Sequence, residues 1–91
     1  PLKCKVTVEN EEVSLTAVEY KLLLLLLENR GQVLSRNTII EKLWDIDGNY
    51  VDYNTLNVYV KRLREKIEAG GEKHIETIRG TGYIWREDSI K

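Results

Sequence analysis

Residues Asn54 to Ile67 read NTLNVYVKRLREKI. Leu56, Val60, Leu63 and Ile67 recur at spacings of four, three and four. At about 100° per residue they form one narrow apolar stripe on a helix. The opposite face carries Asn54, Val58, Lys61, Arg62 and Glu65, with Thr55 and Asn57 on its shoulders. Four of the fourteen basic residues, Lys61, Arg62, Arg64 and Lys66, fall within six positions. A polar face of this kind can enter a DNA major groove, where amide and guanidinium groups read base edges. The same face also suits an ordinary solvated helix, so the rest of the chain has to decide.

Charge distribution gives the next clue. The chain has 91 residues and a net charge of −1, which argues against nucleic acid at first sight. Residues 1–52 carry a net −3, residues 53–67 a net +3 and residues 68–91 a net −1. The positive charge is therefore confined to one helix, and a local field matters more for docking than the total. The length makes one small domain. Apolar residues at 42% and charged residues at 32% suit a soluble fold. The single Cys4 forms no internal disulfide and suits a reducing cytoplasm, as a small core residue. No segment approaches the length of a membrane span, and no secretory signal is present. Pro1 at the start suggests a piece of a longer chain.

Upstream of the helix, Lys3 to Val8 alternates as a half-buried strand does. Residues 9–12 read as a polar turn and Val13 to Leu15 as a returning strand. Thr16-Ala17-Val18-Glu19 is a capping box that opens a helix running to about Asn29. Leu22 to Leu27 are six consecutive leucines, apolar on most sides, so this is a central core helix. Gly31 is placed to end it in a left-handed conformation. Residues 32–34 allow a brief extended piece. Ser35 caps a second helix from Arg36 to about Trp44, with Ile39, Ile40 and Leu43 inward. Asp45 to Val51 reads as a polar loop with a turn at Asp47-Gly48, and Asp52 caps the third helix. Two helices joined by a polar loop, the second basic, suggest a helix-turn-helix variant.

Downstream, Gly70-Gly71 stops the third helix. Residues 74–86, HIETIRGTGYIWR, form a hairpin with its turn at Gly80-Thr81-Gly82 and Arg79 beside the tip. A hairpin directly after a basic helix is the wing of a winged helix. Its arginine can reach the negative potential of a minor groove. The expected fold is therefore α+β, a winged helix-turn-helix of three helices, a short N-terminal antiparallel sheet and a C-terminal hairpin wing at 75–86.

These segments carry a resemblance. LTAVEYKLL (15–23), GQVLSRNTIIEKLW (31–44), TLNVYVKRLREKI (55–67) and IETIRGTGYIW (75–85) resemble the OmpR/PhoB-type winged-helix effector domain of bacterial two-component response regulators. The match covers about residues 13–86. It implies sequence-specific binding to double-stranded DNA, on tandem repeats, by a domain that is monomeric alone and pairs on DNA. It also implies control by a phosphorylated receiver domain on the N-terminal side. By the same resemblance Thr55, Lys61 and Arg64 hold phosphates. Asn57, Val58 and Arg62 face bases. Thr77, Arg79 and Tyr83 belong to the wing near backbone or minor groove, and Trp44 supplies a phosphate-contacting indole. Loop 45–52 is a possible RNA polymerase contact, as in parts of the family.

The chain departs from the family pattern in places. Asn54 stands where the family usually has Arg, which weakens phosphate anchoring. Asn57 stands where it often has Asp, which makes contact with adenine or cytosine easier. Tyr59 stands where it often has His. The leading sheet is shorter than the family's.

Other readings of the same residues stay open. Arg64 can pair with Glu68 one turn on, Trp44 can be core, and Tyr83 can pack on the third helix. His74 has no Cys or second His nearby and reads as a turn residue rather than a metal ligand. The Gly-Thr-Gly triplet has no following helix and no Lys-Ser/Thr, so it is no phosphate loop. No nucleophile with a base, paired carboxylates or metal spacing suggests an enzyme, and nothing calls for a cofactor. Two alternatives to the response regulator remain. One is a winged-helix protein-interaction module. The other is the DNA-binding domain of a membrane-anchored one-component regulator.

Overall fold

The six-leucine run becomes the centre of the fold. In the computed structural model, which describes residues 5–8, 10–47, 52–68 and 73–90 and gives only the backbone for 8, 44–47 and 87–90, helix α1 spans Ala17–Glu28. Leu22, Leu23, Leu25 and Leu26 are buried. The helix packs on α2 (Arg36–Asp47), α3 (Tyr53–Ile67) and the last strand. Neighbours on several sides are what an all-round apolar helix requires. Ile39, Ile40 and Leu43 from α2, and Leu56, Val60 and Leu63 from α3, complete the core with Leu15, Ile75 and Tyr83. No helix among the described residues is long and apolar enough to cross a membrane.

The caps act as the sequence predicts. The Thr16 N–H donates to Glu19 Oε1 at 3.0 Å, and the Glu19 N–H donates to Thr16 Oγ1 at 3.2 Å. Ser35 Oγ accepts from the Thr38 N–H at 3.2 Å, and Asp52 Oδ1 accepts from the Thr55 N–H at 2.7 Å. Each bond satisfies an N–H that the first turn of a helix leaves orphaned.

The strands differ from the expectation in three respects. Strands β1 (Lys5–Val8) and β2 (Glu11–Ser14) pair with Val8 opposite Glu11. The turn is tighter than the expected four residues, and Asn10 adopts a φ of 68°. Asparagine tolerates that left-handed conformation better than most side chains. The brief extended piece is a true strand, β3 (Val33–Ser35). It joins β4 (Lys73–Ile78) and β5 (Gly82–Ile90) in a three-stranded sheet of order β3-β5-β4. Gly82 makes this possible. A Cβ there would fall on the Leu34 carbonyl and lie 2.9 Å from Ser35 Cα. Third, His74 lies on β4 rather than in a turn. It stacks on Trp85 with ring centroids 4.8 Å apart, and Nδ1 bonds the Arg86 carbonyl at 2.8 Å.

One helix end also moves, and one glycine changes role. α2 runs through Asp47, so the first part of the expected loop is its last turn. α1 is capped at Asn29, ahead of Gly31. Gly31 does have a φ of 81°, but its N–H donates to the Trp85 carbonyl at 2.8 Å. The glycine thus turns the chain onto the sheet instead of closing the helix. Cys4, Gly48, residues 49–51 and Gly70-Gly71 lie outside the described residues.

Candidate nucleic-acid interface

Helix α3 divides into three faces. Leu56, Val60 and Leu63 point into the core. Asn54, Asn57, Val58, Lys61 and Arg62 are exposed, and Val58 keeps 43% of its surface open to solvent. The third face was not legible as such. Asn57, Arg64 and Glu68 stand at i, i+7 and i+11, within about 40° of arc. All three bond the wing. Tyr83 donates its hydroxyl to Asn57 Oδ1 at 2.8 Å. Arg64 Nη2 donates to the Ile75 carbonyl at 2.8 Å and to Thr77 Oγ1 at 2.9 Å. Glu68 Oε2 accepts the N–H groups of His74 and Ile75 at 3.0 and 3.1 Å. Thr77 and Tyr83 are direct partners across β4 and β5, so their side chains share the sheet face toward α3.

This arrangement sorts the site residues expected from the sequence. Arg64 spends its Nη2 on the wing, not on Glu68, whose carboxylate holds β4 instead. Tyr83 is 5% exposed and packs on α3, the alternative left open above. Thr77 is exposed and keeps its own hydroxyl proton to donate, because Arg64 uses its oxygen as acceptor. Lys61, Arg62 and Arg79 are exposed and have no hydrogen-bond or ion-pair partner among the described residues. Arg79 sits in the turn that Gly80, with a φ of 76°, and the Thr81 N–H to Ile78 carbonyl bond close. Thr55 is half-buried beside the Asp52 cap. The Thr55 N–H and hydroxyl hold the Asp52 carboxyl below its ordinary range. Trp44 lies on α2, but its side chain is outside the described residues, as is most of loop 45–52.

One cluster had no sequence signal. The Tyr53 hydroxyl donates to Asn37 Oδ1 at 2.6 Å, and the Arg36 guanidinium lies 5.9 Å from the Tyr53 ring centre. The Arg36 N–H also bonds the Thr81 carbonyl at 3.2 Å. The starts of α2 and α3 and the wing turn are thereby braced together. The partners are far apart in sequence, and none of these residues belongs to a periodic pattern.

Comparison with known proteins agrees with this architecture. The family described as "Transcriptional regulatory protein, C terminal" matches residues 10–85. The response regulator ArlR of Staphylococcus saprophyticus is 46% identical over 84 residues, covering 91% of this chain and 38% of ArlR. The chain thus spans well under half the length of that relative. Among solved structures, the C-terminal domain of the nisin resistance regulator NsrR superposes with a TM-score of 0.79 at 42% identity. It covers 89% of this chain and 82% of its own. The Klebsiella pneumoniae RstA DNA-binding domain, solved in complex with the RstA box, gives 0.74 at 27% identity over 90% of this chain and 82% of its own. The chain belongs to the OmpR/PhoB-type family of transcriptional regulatory C-terminal domains, the winged-helix DNA-binding domains of response regulators.

Proposed function

We propose that this chain binds double-stranded DNA sequence-specifically and serves as the C-terminal effector domain of a longer, cytoplasmic transcriptional regulator. α3 enters the major groove with Asn57, Val58 and Arg62 toward base edges. Lys61, Thr55 and Asn54 line the groove wall, and Arg79 and Thr77 meet the minor groove or backbone. Trp44 and Arg64 are carried forward as phosphate contacts from the resemblance. Tyr83 is carried forward through its bond to α3. The longer chain would supply a receiver domain that pairs two protomers on tandem repeats, and segment 45–52 would face RNA polymerase.

The observation that carries this reading is the grouping of Lys61, Arg62 and Arg79, three cations with no partner among the described residues, on α3 and the adjoining wing turn. Elsewhere on the surface Lys5 and Arg86 are ion-paired with glutamates, and Lys21 and Lys42, which also have no partner among the described residues, stand on two different helices, α1 and α2. A protein-interaction module has little use for unpaired charge on two adjoining elements. The RstA domain, of the same fold, is bound to its DNA box, which supports the same docking here.

A binding titration across salt concentrations tests the proposal. Roughly three to five phosphates neutralised per protomer give a slope of log K against log salt of about −3 to −4.5. A slope near zero at a preferred site would overturn it.

A further inference from the structure

The bond between Tyr83 and Asn57 assigns a reading direction to the amide, and this inference rests on the groove placement proposed above. Tyr83 is 5% exposed. A buried phenol needs an acceptor for its proton. Asn57 Oδ1, at 2.8 Å, is the acceptor it has among the described residues. Flipping the amide would put the NH2 group against the hydroxyl and leave the phenolic proton unbonded. The orientation with Oδ1 inward and Nδ2 outward is therefore the stable one.

We propose that Tyr83 is a positioning residue that biases Asn57 toward donating to one base in the major groove. The consequence follows from the edges that bases present. An asparagine recognises adenine by donating to N7 and accepting from the N6 amino group at once. With one of the two lone pairs of Oδ1 taken by Tyr83 and the oxygen held toward the wing, the second half of that pair is weakened. What remains at full strength is an NH2 group that suits any acceptor edge, such as purine N7, guanine O6 or thymine O4. Cytosine, which offers only its N4 amino donor, is disfavoured. The amide alone leaves adenine and cytosine both open, and the wing narrows that choice.

The test is a selection from duplexes with randomised centres, using the 91-residue chain and its Tyr83→Phe, Asn57→Asp and Asn57→Ala variants at one salt concentration. The wild type is expected to disfavour cytosine at one position of each selected half-site by about tenfold, the lower range of a good base contact. Tyr83→Phe frees the amide to turn, so at that position the cytosine penalty shrinks and adenine gains relative to the other bases. Asn57→Asp still accepts from Tyr83 but has no donor, so preference moves to cytosine. Asn57→Ala flattens the position, and adding Tyr83→Phe to it changes nothing more. A folded Tyr83→Phe protein with the wild-type profile overturns the clamp. An unchanged Asn57→Ala profile shows that Asn57 reads no base and also overturns it. If the wild type retains no duplex, the groove placement itself is wrong and the proposal fails with it.

Discussion

The ammonium of Lys66 lies 2.6 Å from Oε1 of Glu19, although the residues are 47 apart in sequence. The Glu19 side chain is 3% exposed and already closes the capping box of α1. One carboxylate therefore satisfies the first turn of α1 and pins the last turn of α3. Burial raises its pKa. The Lys66 ammonium and the Thr16 backbone outweigh that, and the net value is below the ordinary one. A carboxyl whose folded pKa is lowered adds stability above its unfolded pKa and loses it as pH falls through the folded value. Glu19→Gln should cost about 1.5–3 kcal/mol at neutral pH. The lower end is favoured because the Lys66 side chain is 36% exposed and its charge is screened by water. Urea unfolding at about pH 6 and about pH 3 should show the wild type losing more stability on acidification than Glu19→Gln. Equal losses would remove the pin.

Leu26 is 1% exposed and Leu25 is 7% exposed, on the helix around which the core is built. Leu26→Ala or Leu25→Ala should each cost about 2–5 kcal/mol, a large share of a small domain's total. Chemical denaturation measures it. Losses below about 0.5 kcal/mol for both would mean the run is not central.

Gly82 lets β3 approach β5 closely. In Gly82→Ala the added methyl meets backbone, which cannot rotate out of the way. The loss should be about 1–3 kcal/mol or more. Hydrogen exchange should rise in β3 and the wing while α1 stays protected. Unchanged exchange in β3 would contradict the close approach.

Arg64 distinguishes a brace from a phosphate contact. Its Nη2 holds both Ile75 and Thr77, which a lysine's shorter-reaching ammonium reproduces poorly. If the brace is the main role, Arg64→Lys should lower the melting temperature and loosen the wing, with the salt slope unchanged. If the charge alone matters, Arg64→Lys should resemble the wild type in both stability and binding.

Arg62 and Lys61 are neighbours in sequence but about 100° apart on the helix. Arg62→Ala should relax preference at one base pair of each half-site and cost about 1–3 kcal/mol on cognate DNA. Lys61→Ala should weaken cognate and scrambled duplexes alike, with a salt slope shallower by about one. The reverse pattern would mean that the rotation of α3 in the groove is misassigned.

Local signals made most of the fold legible. Three helices, their caps at Thr16, Ser35 and Asp52, and the wing hairpin each rest on residues within a few positions of one another. What was missed is non-local or runs against a preference. β3 is three residues long and gains its identity from strand β5, about fifty positions on. Its extended backbone was expected at 32–34, but of its pairing the trace was the missing side chain at Gly82. The last turn of α2 carries Asp45 and Asp47, acids that a helix C-terminus disfavours, so the pattern seemed to stop at Trp44. At the site, the stripe of α3 showed which side chains are inward. It could not show that Arg64 and the exposed Asn57 bond the wing strands, because polar side chains look alike on either face until the strand is in place.

The seam of Asn57, Arg64 and Glu68 has a further consequence. It ties α3 to β4 and β5 along more than two turns, so helix and wing rotate and translate as one piece. Docking on DNA then freezes little that is not already frozen, and little chain entropy is lost at the interface. The accommodation passes to the duplex. With the gap between Arg62 and Arg79 set by the protein, the duplex is the softer partner in the proposed docking. Under that docking, sequences whose path from major to adjacent minor groove already fits that gap, or yields to it cheaply, would be favoured even at base pairs no side chain reaches.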